Sequence, residues 1–80
     1  MIRISKTSRL RPEEIVKRAS QFFGKGGEGL QETERGACCI SFSGAGGHVT
    51  VLVSDADNQS SVEVESKEFD YQAKRFLNSL

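Results

Sequence analysis

Residues 38–53 read Cys38-Cys39-Ile40-Ser41-Phe42-Ser43-Gly44-Ala45-Gly46-Gly47-His48-Val49-Thr50-Val51-Leu52-Val53, and this stretch decides the fold. Apolar side chains take every second position on both sides of a glycine cluster: Ile40 and Phe42 before it, Val49, Val51 and Val53 after it. A period of two sends successive side chains to opposite faces of a strand, so each run has one apolar face. The glycines between them supply the positive φ that a tight hairpin turn demands. Cys38 continues the apolar face and Cys39 the opposite one, so one thiol is expected in the core and the other outside it.

Downstream, Asp55 to Ser60 is a polar, turn-rich connection, and Val62 and Val64 then alternate with Ser61, Glu63 and Glu65 as a further strand of an antiparallel meander. Phe69, Ala73, Phe76, Leu77 and Leu80 recur at helical spacing, which predicts a closing amphipathic helix capped by Ser66 or Asp70. Upstream, Leu30 to Ser43 forms one long extended stretch, polar in its first half, with Gly36 as a bulge. Before it, Pro12 suits a first helical turn, Glu13 and Glu14 favour a helix N-terminus, and Ile15, Val16, Ala19, Phe22 and Phe23 form a single stripe. This predicts a helix over 12–23, ended by Gly24, with Glu13–Lys17 and Glu14–Arg18 paired on its outer face. Ile2 and Ile4 alternate with Arg3 and Ser5 as a short first strand. The expected fold is α+β, a two-layer sandwich in the order β-α-β-β-β-α. Its sheet is mostly antiparallel, with both single-striped helices on one face.

Eighty residues suffice for one domain, here 1–80, with a thin core and a net stability on the order of 5 kcal/mol. Net charge is zero, from 11 basic and 11 acidic residues. Residues 1–25 hold seven basic and two acidic groups, a net of +5, and residues 26–80 hold four and nine, a net of −5. The simplest reading of that asymmetry is attraction between the two halves in the fold, since a dedicated nucleic-acid domain carries an overall basic excess. No apolar run has signal-peptide or membrane-span length, so a cytoplasmic location with free thiols and no membrane association is expected.

The motifs argue against catalysis. Gly24-Lys25-Gly26-Gly27-Glu28-Gly29 matches G-x-G-x-x-G by letter, but it follows a helix, whose negative dipole end repels phosphate. Asp55-Ala56-Asp57-Asn58-Gln59 starts like a calcium loop, yet Ser60 and Ser66 stand where glycine and the bidentate glutamate belong. Asn58-Gln59-Ser60 is a glycosylation sequon by letter alone. The two adjacent cysteines have no C-x-x-C spacing, and His48 is the sole histidine. No cofactor or metal is expected.

Three functional expectations remain. With the helices on one face, the other face has a weakly apolar centre (Ala37, Cys39, Ser41, Thr50 and Leu52) and a charged margin (Arg3, Glu63 and Glu65). That composition predicts a non-enzymatic module that binds a protein partner or a second copy through Cys39, Ser41, Thr50 and Leu52. The alternative is nucleic-acid binding through Arg9, Arg11, Lys17 and Arg18. The third is a small-ligand site or an enzyme assembled from distant segments. The β-α-β-β-β-α order resembles half of a TATA-binding-protein-like fold, which uses its open sheet. The likeness is one of element order and carries no functional residue across.

Overall fold

The structure, a computed structural model, describes residues 2–36, 38–44 and 46–80, with the backbone alone at Ala56. Met1, Ala37 and Ala45 lie outside the described residues; the open-face expectation included Ala37 and the turn expectation Ala45. The chain runs β1 (Ile2–Ser8), α1 (Pro12–Phe23), β2 (Gln31–Arg35), β3 (Cys39–Gly44), β4 (Gly47–Ala56), β5 (Gln59–Lys67) and α2 (Asp70–Asn78). One five-stranded sheet has the order β1-β5-β4-β3-β2, with every neighbouring pair antiparallel. The α+β, two-layer architecture expected from the sequence is the one observed, with both helices against one sheet face.

One stretch differs. Residues 30–43 are not a single strand: β2 folds back antiparallel onto β3, and the register shift falls between Glu32 and Glu34 rather than at Gly36. Gly36 instead closes the turn, its N–H donating to the Cys39 carbonyl at 2.7 Å. β1 is also longer than its two isoleucines suggested. It runs to Ser8, because the whole of Ile2–Ser8 pairs with Ser60–Ser66.

The turns obey the chemistry of their residues. Gly46 has φ +82° in the β3–β4 hairpin. Asp57 and Asn58 both have positive φ in the two-residue loop between Ala56 and Gln59, the backbone of a type I′ turn. Gly24 ends α1 with a negative φ: its N–H donates to the Ser20 carbonyl, and a Cβ there would collide with that same oxygen.

The core is one cluster. Ile15, Val16, Ala19 and Phe23 of α1 and Ala73, Phe76 and Leu77 of α2 cover Ile40, Phe42, Val49, Val51, Val53, Val62 and Val64 of the sheet. The Phe23 ring lies 5.5 Å from that of Phe42 and 5.3 Å from that of Phe76, so it joins the sheet to both helices. Buried hydroxyls satisfy the loops around the core. Ser60 donates to the Leu10 carbonyl at 2.7 Å, and Ser66 accepts from Phe69 N–H at 3.2 Å. Neither predicted capping residue stands at the helix start: Phe69 holds the N-cap position without a side-chain cap, and Asp70 is the first helical residue. Ser66 instead secures the approach from within β5, where its side chain faces the core.

Candidate functional site

Because burial alternates along β3, β4 and β5, the residues facing away from the helices are fixed by register. One row crosses the whole sheet: Glu34, Ser41, Thr50, Glu65 and Arg3, each opposite the next. A second row holds Cys39, Leu52, Glu63 and Ser5. Cys39, Ser41, Thr50 and Leu52 therefore adjoin, as the alternation predicted. Leu52 is 38% exposed and, with Tyr71 on α2, is one of the two large apolar side chains most open to solvent among the described residues.

The centre of this face is uncharged, and its margin carries Arg3 against Glu34, Glu63 and Glu65. The Ser41 and Thr50 hydroxyls lie 3.3 Å apart, a cross-strand hydrogen bond in which either atom can donate. Arg3 reaches from the edge strand to two carboxylates at once, with its Nε 2.8 Å from Glu63 and a terminal nitrogen 2.8 Å from Glu65. The hydrogen bond from Arg3, then its charge, holds the Glu65 carboxyl below the usual glutamate range, with a smaller contribution from His48. The hydrogen bond to Glu65, then the charge of Glu63, raises Arg3 in turn. The charge of the first half of the sequence thus meets that of the second directly across the β1–β5 pair. Sequence placed these three residues at the margin of the face, but their triad depends on β1 lying beside β5, which no residue pattern announces.

Cys38 departs from the expectation. It is exposed and outside the core, and it is joined to Cys39 by a disulfide, so the thiols are neither free nor divergent. The reason is local: β3 begins only at Cys39, and the Cys38 carbonyl accepts from Val53 N–H at 2.8 Å from a bend. The period of two does not extend to a residue outside the strand.

The basic candidates divide. Arg9 and Arg11 line an open cleft of about 440 Å³ at the start of α1, together with Leu10, Pro12, Asp55 and Asn58. Lys17 and Arg18 lie more than a helical turn further along, and Arg18 is engaged by Glu14 at 3.4 Å. The cleft mixes the two cations with Asp55, and Glu13 and Glu14 occupy the first turn beside it.

Both sheet edges carry charge. β2 is exposed throughout, with Arg35 bound to Glu32 at 2.8 Å and to the Ser20 hydroxyl at 2.8 Å. On β1, Lys6 turns toward the helix layer and donates to the carbonyls of Leu77 and Leu80 at 3.2 Å, where a cation complements the C-terminal end of α2.

Among the described residues, no three His, Cys, Asp or Glu side chains are grouped to hold a metal ion, and no helix is long and apolar enough to cross a membrane. No family model matches the chain, and no curated protein or solved structure is significantly similar to it. What fold and site define is a class: a two-layer α+β protein with one sheet face uncovered.

Proposed function

We propose that the chain is a non-enzymatic self-association module, and that the uncovered sheet face docks onto the same face of a second copy. The observation that carries this reading is the uncharged centre of the face. Arg3 bridges Glu63 and Glu65 at the margin, leaving Ser41, Thr50, Cys39 and Leu52 as a centre without charge. Such a centre offers no charge to an ionic partner, and the acidic excess of the face stays at its margin. The zero net charge of the chain limits long-range repulsion between copies. Charged edges disfavour strand-to-strand pairing, which leaves the face. A two-fold arrangement lays each Leu52 near its mate, the self-complementarity of an isologous contact.

The face measures roughly 20 Å by 20 Å from strand and residue spacings, on the order of 400 Å². That is about half of what each partner buries in a stable complex, so the association is weak and reversible. Sedimentation velocity should therefore show a dimer that grows with concentration. Amide shifts of Cys39, Ser41, Thr50 and Leu52 should move in parallel, and Leu52→Lys should abolish both effects while leaving the melting temperature within a few degrees. A monomer at about 1 mM, where an association worth about 4 kcal/mol is already half-populated, overturns the reading.

The second reading, nucleic-acid binding, has one observation in its favour, the placement of Arg9 and Arg11 together at the cleft beside α1. The acidic residues around that cleft weigh against it. Retention on heparin at low salt, lost in Arg9→Ala/Arg11→Ala, decides between the two.

A further inference from the structure

We infer that the Cys38–Cys39 disulfide is a thiol–disulfide exchange site for low-molecular-weight thiols, entered from the exposed Cys38 and ending at Cys39 on the open face. The cross-link joins residues adjacent in sequence, so it closes no chain loop and removes almost no entropy from the unfolded chain. It also supports no packing, since neither cysteine belongs to the buried cluster of the core. A structural staple fails on both counts. Exchange, by contrast, needs a sulfur that an attacking thiolate can reach, and Cys38 is exposed while Cys39 is half-buried. It also needs the two sulfurs to stay neighbours after reduction. The backbone ensures this: the Cys38 carbonyl is held by Val53 N–H at 2.8 Å, and the Cys39 carbonyl by Gly36 N–H at 2.7 Å. Neither bond involves a sulfur, so reoxidation is an intramolecular reaction between groups already in place.

The reaction balances with two equivalents of a small thiol. Its thiolate attacks Sγ of Cys38; a new sulfur–sulfur bond forms there, the Cys38–Cys39 bond breaks, and its electron pair leaves on Sγ of Cys39, which takes a proton from water. A second thiolate attacks the small-molecule sulfur of this mixed disulfide. The small disulfide departs, and Cys38 is released as a thiolate that water protonates. Two electrons pass from the two small thiols to the protein pair.

The test uses the intact chain and glutathione. Purified without reductant, the protein should have a mass two hydrogens below the fully reduced chain and should take no iodoacetamide. Excess reduced glutathione in native buffer should make both cysteines alkylatable together, and oxidised glutathione should restore the lower mass. Uptake of label by both cysteines before reduction, with no return of the lower mass under oxidised glutathione, overturns the proposal. So does a pair that is reduced only in denaturant. Cys38→Ser/Cys39→Ser should melt within about 5 °C of the parent, whereas a larger fall marks a structural staple and also overturns it.

Discussion

Arg3 illustrates how much one exposed side chain can organise without contributing much to stability. Its own side chain is 67% exposed, so the bridges to Glu63 and Glu65 serve mainly to offset part of the acidic charge at the margin of the face. The consequence is measurable at the carboxylate. Glu65 titrates below its unfolded value, so the pair favours the fold at pH above the ordinary glutamate range, and the contribution is lost as pH falls through the lowered folded value. In Arg3→Ala, the Glu65 side-chain carbon followed by NMR should titrate at higher pH than in the parent. An unchanged midpoint would show that the bridge does not persist in solution. At this scale the sequence was readable along β3 and β4: Cys39, Ser41, Thr50 and Leu52 took their predicted face by alternation alone. It misled at or beyond the ends of strands. Cys38 continued the alternation in letters but not in backbone, and Ser66 serves the helix approach from within a strand.

Among the elements, the hairpins show the closest agreement between letters and geometry. Asp57 and Asn58 take φ of +43° and +68°, values that most side chains resist. Replacing Asn58 by alanine should cost about 1 kcal/mol, because alanine lacks the local hydrogen bonding that lets asparagine accept this conformation. Asn58→Gly should cost nothing or slightly stabilise. Thermal melts of the two variants check this, and equal melting temperatures would remove the turn from the explanation. The element that sequence missed is β2. Its residues Gln31-Glu32-Thr33-Glu34-Arg35 are all exposed and polar on both faces, so no period of two marks them, and the shift between Glu32 and Glu34 erases what alternation remained. An edge strand held by its neighbour and by an arginine reaching Ser20 of α1 leaves no hydrophobic signature. The helices, by contrast, were legible because each has a single buried stripe.

For the whole molecule, the decisive fact is that one cluster carries everything. Phe23 is fully buried and touches rings from the sheet and from α2. Phe23→Ala should cost about 3–5 kcal/mol, close to the roughly 5 kcal/mol available to a domain of this size. A chain left with about 0–2 kcal/mol, partly unfolded at room temperature by circular dichroism, is the expected result, and a cooperative melt within a few degrees of the parent would mean a second, independent source of stability. The strand order was the least legible property. Meander neighbours follow from short connections, but β1 joins the sheet beside β5, pairing Ile2 with Ser66 across most of the chain. That pairing has a consequence for how the molecule is made. Synthesis delivers β1 before the other four strands and its partner β5 as the last of them, so a growing chain on the ribosome must hold Ile2 and Ile4 unpaired until β5 emerges. The meander of β2 to β5 can assemble by local zipping, whereas closure by β1 is a late, long-range event. In a truncated or stalled product, the open side of β5 is therefore the surface most exposed to chaperones or to a neighbouring chain.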